Sequence, residues 1–384
     1  MVGSVFTVPR YGRESLADLF PSVLAGLGVA GETDRLGLGL SARRVCVLLV
    51  DGLGAEQLAE HADVAPFLAG AEPRVLTAGF PTTTTTSLTS LGVGVPPGEH
   101  GLVGYLLRVP GQERLMSPLK WRLHGAGPKV DLLKELVPEE FQPRATVFER
   151  AAAEGIAVTQ VAPLMQAGSG LTRAVFRGSE FRFDVSMGDL VDGAVTALRQ
   201  GDRSLVYAYH ADLDTTGHVR GPGSQAWQLE LANVDRAVRA IAERLPADGA
   251  LVVTADHGMV ELDDRVDFDT DPVLSDGVTE LGGEPRARHV YTLDGAAKDV
   301  EAAWREVLGE RFEVLLRDDA VDLGWFGPTV SAESLARIGD LVVVARNRGG
   351  VIRSAVEPLQ SSLVGHHGSL TSAEMHVPLL VFQP

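Results

Sequence analysis

Cysteine is nearly absent from this sequence of 384 residues, in which Cys46 is the only one. A single cysteine excludes both an intrachain disulfide and a cysteine-based structural zinc site. Long apolar runs are also missing, since no stretch approaches the roughly 20 residues that a membrane-spanning helix needs. The N-terminal residues lack the basic start and apolar segment of a signal peptide. We therefore expect a cytoplasmic protein without a membrane partner.

Positive charge is scarce as well, because 34 lysines and arginines face 51 aspartates and glutamates, for a formal net charge of −17. The basic surface typical of nucleic-acid-binding proteins is therefore not expected. An acidic protein that handles phosphate needs a local positive centre, and a bound metal ion commonly provides one. Apolar residues make up 45% of the chain, which is enough for a sizeable core and excludes extensive disorder.

Short apolar runs followed by polar or turn residues are the main structural signal in the sequence. Such runs are typical of strands buried in a parallel sheet. They occupy residues 43–50, 74–79, 204–209, 250–254, 341–345 and 378–382. Residues 224–244 instead carry one apolar stripe at helical spacing, and Ser224 is a suitable N-cap. Strands alternating with helices predict an α/β fold with a central, mostly parallel sheet and helices on both faces.

The length favours a single domain over residues 1–384. Two stretches, near residues 106–145 and 260–340, have weaker periodicity and many charges. In sheets of this kind, functional sites lie beyond the C-terminal ends of the strands. We interpret the two stretches as insertions that cap such a site.

Five polar segments carry the candidate chemistry, and several directly follow a predicted strand. They are Asp51-Gly52, Phe80-Pro81-Thr82-Thr83-Thr84, Asp214-Thr215-Thr216-Gly217-His218, Asp256-His257-Gly258-Met259 and Gly365-His366-His367-Gly368. Carboxylate and imidazole donors suit zinc, or manganese if the carboxylates dominate. Two such ions about 4 Å apart can hold both the attacking and the leaving oxygen of a displacement at phosphorus.

Each segment alone has a simpler explanation. Asp51-Gly52 could be an ordinary turn, and the threonine run 82–86 could be a solvated loop and helix start. Asp214 and His218 could form an i,i+4 pair on a helix surface. Gly217 between them argues against a regular helix and favours a loop that wraps around a metal.

Taken in order, the five segments resemble the alkaline phosphatase superfamily, and within it the nucleotide pyrophosphatase/phosphodiesterase family. The family's Phe-Pro-Thr-x-Thr, followed by His-Gly, matches residues 80–84 and His100-Gly101. The resemblance implies that Thr84 is the nucleophile and that two zinc ions, or manganese ions, are bound. The implied ligands are Asp51, Thr84, Asp256 and His257 for one ion, and Asp214, His218 and His367 for the other, with His366 as the alternative to His367.

The implied activity is a metal-dependent hydrolysis of phosphodiesters or nucleotide pyrophosphates through a phospho-threonine intermediate. The substrate would be a small phosphate ester. A phosphomonoesterase and a C–P hydrolase of the phosphonoacetate hydrolase type remain alternatives within the superfamily. A metal-stabilised binding protein without activity is the alternative outside it, and the complete ligand set argues against that alternative.

Three positions bear on the substrate that the resemblance implies. Members that cleave nucleotides usually carry a phenylalanine directly after the nucleophile, where this sequence has Thr85. They also carry an asparagine shortly after the His-Gly, where this sequence has Tyr105. Tyr209 lies where the family has a tyrosine near the substrate. We predict that these three residues contact the substrate, and that the two departures alter the preference for nucleotides.

Overall fold

The computed structural model describes residues 6–384. Its strands are β1 (Arg44–Val50), β2 (Arg74–Thr77), β3 (Met116–Ser117), β4 (Arg122–Leu123), β5 (Ala157–Pro163), β6 (Glu180–Asp184), β7 (Ser204–His210), β8 (Gly249–Thr254), β9 (Val260–Glu261), β10 (Asp264–Asp267), β11 (Val278–Glu284), β12 (Ala287–Thr292), β13 (Phe312–Leu316), β14 (Leu341–Ala345), β15 (Gly349–Ile352), β16 (Gly365–His366) and β17 (His376–Phe382).

The α-helices are α1 (Leu19–Gly26), α2 (Ala55–Glu60), α3 (Pro66–Ala69), α4 (Thr84–Val93), α5 (Pro97–His100), α6 (Pro138–Phe141), α7 (Val147–Ala153), α8 (Gly170–Val175), α9 (Met187–Leu198), α10 (Asp212–Arg220), α11 (Gln225–Ala242), α12 (Pro272–Ser275), α13 (Ala297–Leu308), α14 (Arg317–Asp322), α15 (Ala332–Arg337), α16 (Pro358–Ser361) and α17 (Ser372–Met375). Short 3-10 helices cover Leu16–Asp18, Leu164–Gln166 and Gly309–Arg311. Among residues 6–384, none of the helices combines the length and the apolar character that crossing a bilayer requires.

Seven strands form the central sheet, in the order β2-β17-β8-β1-β7-β5-β6. The run from β8 to β6 is parallel throughout, whereas β17 is antiparallel to both of its neighbours. β1 lies between β7 and β8, so the C-terminal ends of these three strands meet at one edge of the sheet. The predicted central, mostly parallel sheet is confirmed.

Helices cover both faces of this sheet. On one face α9 and α11 pack against each other and against the strands. On the other face, Phe20 of α1 and Phe148 of α7 contact the ring of Tyr207 in β7. The predicted helix at 224–244 is α11, and Ser224 Oγ accepts the backbone N–H of Trp227 at 3.3 Å. Its predicted apolar stripe is buried against the sheet layer: Trp227, Leu231, Val234, Val238 and Ile241.

Residues 278–345 build a second, antiparallel sheet in the order β11-β12-β14-β13. This sheet has its own apolar core, in which Trp304 of α13 and Leu341 of β14 are fully buried. The run 341–345 is therefore a strand, as predicted, but it lies outside the central sheet. A strand buried on both faces is apolar in either sheet, so the sequence pattern does not assign it to one of them. The stretch 106–145 contains only the short elements β3, β4 and α6.

A buried ion pair ties the second sheet to the central one. Arg286 lies between β11 and β12, and its Nε and Nη2 atoms are 2.8 and 2.7 Å from the two carboxylate oxygens of Glu374 in α17. Both side chains are fully buried. The backbone carbonyl of Glu374 also accepts the N–H of Gly258 at 2.8 Å. The ion pair therefore supports the segment that follows β8.

Replacing Glu374 with glutamine should lower the free energy of unfolding by about 3–5 kcal/mol, because Arg286 would keep a buried charge without a partner. Urea unfolding followed by circular dichroism measures this loss. The double variant Arg286→Met/Glu374→Gln should recover part of it. The pair Arg239–Glu243 is exposed, so Glu243→Gln is the control and should change stability little. Equal losses for Glu374→Gln and Glu243→Gln would contradict the prediction.

Candidate active site

Thr84 is the first residue of α4 and follows the N-cap Thr83. It is partly exposed, whereas the other four threonines of the run are buried. Its Oγ1 atom lies 3.3 Å from Nε2 of His257. The structure therefore presents one hydroxyl of the run to the site, and it is the hydroxyl that the resemblance selects.

His100 and Gly101 of the same sequence motif have a supporting position. His100 is buried, its Nδ1 accepts the backbone N–H of Leu102 at 3.1 Å, and its Nε2 donates to Ser90 Oγ at 3.0 Å. These contacts fix the loop after α5 against α4. The spacing from Thr84 to His100 thus reflects how the threonine helix is held in place.

The ends of β1 and β8 bring Asp51, Asp256 and His257 together. His257 Nε2 lies 3.3 Å from Asp256 Oδ2 and 3.6 Å from Asp51 Oδ1. All three side chains are buried. Because β1 and β8 are neighbouring parallel strands, the residues that follow them meet at the same edge of the sheet.

α10, which follows β7, carries Asp214 and His218 on one face. Their Oδ2 and Nε2 atoms are 3.3 Å apart. The expectation of a loop around Gly217 is wrong, since Asp212–Arg220 is a regular helix. The glycine has a packing role: a Cβ atom at position 217 would lie 2.6 Å from Sδ of Met259. The i,i+4 spacing thus presents both side chains to the site directly from a helix.

His367, after β16, completes the arrangement, and His366 does not. The ring of His367 stacks on that of His257 with 3.6 Å between centroids. His366 instead directs Nε2 at the carbonyl of Leu363, 3.3 Å away. Burial, followed by the nearby His218, lowers the pKa of His366 to about 3. Of the two adjacent histidines, His367 is the one that lies in the site.

Backbone carbonyls orient all three site histidines in the same way. Nδ1 of His218 donates to Gly365 at 2.7 Å, Nδ1 of His257 to Gly258 at 3.0 Å, and Nδ1 of His367 to Thr82 at 2.7 Å. A carbonyl can only accept, so Nδ1 carries the proton in each ring. Nε2 is left as the free lone pair, which is the form in which imidazole binds a metal.

The electrostatics of the site are unfavourable without a cation. Burial raises the pKa of Asp51 well above its usual range, and the charges of Asp256 and Asp214 add to the effect. Burial also raises the pKa of Asp256. For His367, burial and then the neighbouring His257 and His218 lower the pKa well below its usual value. Repelling carboxylates that share one space with a histidine of lowered pKa are typical of a metal centre.

Unpaired oxygens indicate where a cation would bind. Oδ1 of Asp51, Oδ1 of Asp214 and Oδ2 of Asp256 are buried, and none has a hydrogen-bond partner within residues 6–384. Two groups of ligand atoms each lie within 4.8 Å of one another: those of Asp51, Asp256 and His257, and those of Asp214, His257 and His367. His257 belongs to both groups. The donor set therefore fits metal ions.

The three predicted substrate contacts have different surroundings. Thr85 is fully buried behind Thr84, and its Oγ1 has no hydrogen-bond partner among residues 6–384. Tyr209 is buried in β7, and its hydroxyl donates to Oδ2 of Asp51. Tyr105 is partly exposed and lines a cavity. The predicted contacts of these residues with substrate stay predictions.

Glu284 is a site residue that the sequence reasoning missed. It ends β11, is buried, and has Oε2 at 3.6 Å from Nδ1 of His367. Its Oε1 has no hydrogen-bond partner within the described chain. Burial raises its pKa well above the usual range, while Thr83 and Arg288 lower it. No local motif marks Glu284, because it reaches the site from the second sheet.

Solved structures of other proteins share this fold. Murine ectonucleotide pyrophosphatase/phosphodiesterase 5 aligns with a TM-score of 0.69 and 19% identity, over 89% of this chain and 88% of that protein's chain. Phosphonoacetate hydrolase from Sinorhizobium meliloti 1021 aligns with a TM-score of 0.66 and 19% identity, over 89% and 91% of the two chains. At this identity the likeness shows the fold alone.

Curated relatives match over shorter stretches. The chain is 30% identical over 120 residues to GPI ethanolamine phosphate transferase 1 of Aspergillus oryzae. It is 30% identical over 82 residues to the catalytic subunit of human GPI ethanolamine phosphate transferase 3. These stretches cover 29% and 20% of this chain, and 12% and 8% of the relatives. The chain thus spans only a small part of the length of the curated relatives it matches.

The family model that describes type I phosphodiesterases and nucleotide pyrophosphatases matches residues 45–370. This range is most of the chain, and it includes Thr84 and all the histidines and aspartates of the site. The chain therefore belongs to the type I phosphodiesterase/nucleotide pyrophosphatase family.

Proposed function

We propose that this family member hydrolyses phosphodiesters through a covalent intermediate on Thr84, with two zinc ions bound in the site. One observation carries the proposal. Thr84 is the one threonine of its run that is not buried, and its hydroxyl lies 3.3 Å from a histidine that two clusters of potential ligands share. A binding protein would not need a hydroxyl there. Nucleophile and ligands in one place are typical of two-metal phosphoryl transfer.

Seven residues would hold the metals: Asp51, Thr84, Asp256 and His257 for one, and Asp214, His218 and His367 for the other. His218 contributes through its position 3.3 Å from Asp214, whereas the ligand atoms grouped with those of Asp214 and His367 in the structure are those of His257. A mixed set of imidazole nitrogens and carboxylate oxygens favours zinc, and manganese is the second choice. Bound there, the ions lower the pKa of the nucleophile and neutralise charge on the phosphate oxygens.

The chain's own groups carry the displacement. Oγ1 of Thr84 forms a bond to phosphorus, the bond from phosphorus to the leaving oxygen breaks, and the leaving group departs as an alcohol after gaining a proton. Water then attacks phosphorus, and the bond to Thr84 breaks to return the hydroxyl. Asp51 is held in place for this chemistry by the hydroxyl of Tyr209, which donates to Oδ2.

The start of α4 is suited to binding the phosphate oxygens. Ser87 is the first residue of the helix whose N–H has a backbone acceptor, namely the carbonyl of Thr83 at 2.9 Å. The N–H groups of the preceding turn are therefore left for a ligand, and the positive end of the helix dipole favours an anion. The attacking hydroxyl of Thr84 belongs to the same turn.

The charges around Thr84 favour a diester over a monoester. A monoester carries close to two negative charges, and enzymes for monoesters usually add an arginine forked onto the phosphate. Arg286 forms a buried ion pair with Glu374. Arg288 donates from Nε to the carbonyl of Val351 at 2.8 Å, and its Nη2 is 3.1 Å from Oε2 of Glu357. Within residues 6–384, the aspartates of the site form ion pairs only with histidines, so no arginine lies among them.

The test is the ratio of kcat/KM for bis-p-nitrophenyl phosphate to that for p-nitrophenyl phosphate on one zinc-loaded preparation. We expect a ratio well above one, since Arg286 and Arg288 are held by Glu374 and Glu357 and do not compensate the second charge of the monoester. The same ratio measured on a manganese-loaded sample controls for the choice of metal. A ratio below one with both metals would replace the diesterase by a phosphomonoesterase.

A further inference from the structure

A cavity of about 230 Å³ lies beside Tyr105. One side is formed by the β3–β4 hairpin, through Ser117, Lys120 and Arg122, and the other by the segment from Val356 to Gln360. The predicted ligands of the metal site are not part of its lining. The cavity is thus a separate space, formed by residues of the 106–145 insertion and by the chain before β16.

Hydrogen bonding of the backbone brings this cavity next to the active site. The carbonyl of Leu106 accepts the N–H of Gly283 at 2.7 Å. Tyr105 and Glu284 are the residues adjacent to these two, and Glu284 lies 3.6 Å from His367. The charge of Glu284 is close enough to contribute to a raised pKa for Tyr105, after burial and the charge of Glu357. Tyr105 therefore lines the cavity close to Glu284, which contacts the predicted metal ligand His367.

Two cations of the cavity have no partner. Within residues 6–384, neither Lys120 nor Arg122 makes a salt bridge or a side-chain hydrogen bond, although most arginines of this acidic chain are paired. The one carboxylate of the lining belongs to Glu357. Its Oε2 is 3.1 Å from Nη2 of Arg288, and its Oε1 is 3.2 Å from Nε2 of His124 but has no hydrogen-bond partner within the described chain. Glu357 forms no ion pair with Lys120 or Arg122 among residues 6–384.

A buried hydroxyl in the same lining also lacks a partner. Ser117 is 2% exposed, and its Oγ has no hydrogen-bond partner in the described chain. The hydroxyl of Tyr105 lies near the hydroxyl of Ser117, but the two do not meet the geometry of a hydrogen bond. A buried polar atom without a partner usually marks a place where a ligand or water completes the bonding. Two free cations and a free hydroxyl together are the donor set of an anion site.

We propose that this cavity binds a small anionic group on the leaving side of the substrate, either a carboxylate or a phosphate. The inference rests on the proposed function, because it places the scissile phosphoryl group at Thr84. The cavity is smaller than the roughly 300 Å³ at which pockets for drug-sized ligands begin. Its size therefore suits a compact acid and not a nucleoside. The substrate class is that of small phosphoryl compounds whose leaving group carries its own negative charge.

The first experiment compares two diesters of similar size whose leaving groups carry a carboxylate or a neutral amide: methyl 4-carboxyphenyl phosphate and methyl 4-carbamoylphenyl phosphate. The amide is the intrinsically better leaving group, so a preference for the carboxylate reflects binding. On zinc-loaded protein, kcat/KM should be at least about tenfold higher for the carboxylate, since hydrogen bonds to charged groups are the strong ones. In Lys120→Met and Arg122→Met the ratio of the two values should fall toward one. Lys129 is an exposed lysine nearby that does not line the cavity, so Lys129→Met is the matched control and should keep the ratio.

A binding measurement separates this inference from the proposed function. Calorimetry on the zinc-loaded protein would compare 3-phosphonopropionate, ethane-1,2-diphosphonate and 3-phosphonopropionamide. Tighter binding of the first or second compound than of the amide, lost in Lys120→Met, supports the site and distinguishes carboxylate from phosphate. Equal affinity for all three, or a preference that survives both substitutions, would overturn it. Failure to hydrolyse either diester would refute the proposed activity. The binding comparison would then still test whether the cavity binds an anion.

Discussion

Replacing Thr84 with alanine should reduce kcat for bis-p-nitrophenyl phosphate by at least about 10⁴-fold, as expected when a covalent nucleophile is removed. The substitution removes a hydroxyl from a partly exposed position, so the fold should persist. Thr84→Ser keeps a hydroxyl at the same atom position and should retain measurable turnover. Intact-protein mass spectrometry of acid-quenched wild type should show a phosphorylated form that is absent from Thr84→Ala.

Neighbouring threonines serve as controls for this result. The hydroxyl of Thr86 is buried and donates to the carbonyl of Leu102 at 3.0 Å, so Thr86→Ala should affect stability more than chemistry. Zinc content should be measured on every variant, because Thr84 is also a predicted ligand. If Thr86→Ala abolished turnover and Thr84→Ala did not, the nucleophile would have been assigned to the wrong threonine.

Removing metal should abolish turnover completely, and adding zinc or manganese should restore it. The reason is electrostatic: without a cation, the buried carboxylates of Asp51 and Asp256 and the partly buried carboxylate of Asp214 repel one another. We expect two metal ions per chain by elemental analysis. Asp256→Ala should lose one ion and His218→Ala the other, since these residues belong to different predicted sites.

The adjacent histidines offer a matched pair for the same experiment. His367→Ala should lose metal, because the ring of His367 stacks on that of His257 within the cluster. His366→Ala should retain both ions, because Nε2 of His366 contacts the carbonyl of Leu363. Full activity with fewer than two ions per chain would contradict the two-metal assignment.

The sequence could bring most of the predicted ligands together because several of them follow a strand with a clear local signature. β1 and β8 are apolar runs buried on both faces. Asp51 comes directly after β1, and Asp256 is the second residue after β8. In a parallel sheet such residues must meet at one edge, so local pattern and topology together bring the ligands close. The resemblance to a family then selected Thr84, which composition did not distinguish from its neighbours.

Other features depend on contacts that leave no local pattern. β6 contains three charged residues, Glu180, Arg182 and Asp184. It lies at the edge of the sheet, where one side of the strand has no partner within the described chain. Its side chains are largely accessible, so no apolar run marks it. Glu284 contacts His367 from another sheet. The role of Gly217 is of the same kind: the glycine makes room for Met259 inside a regular helix, and a sequence pattern alone predicts a helix break there.

The pair of Arg286 and Glu374 has a consequence for protein engineering. Exchanging the second sheet for that of another family member is an obvious way to change substrate range. A donor sheet without an arginine at this turn would leave the buried carboxyl group of Glu374 without its partner, next to the backbone that supports Gly258. Chimeras should therefore transfer the arginine with the sheet, or replace both residues together. Otherwise a graft aimed at selectivity would first disturb the predicted metal ligands that follow β8.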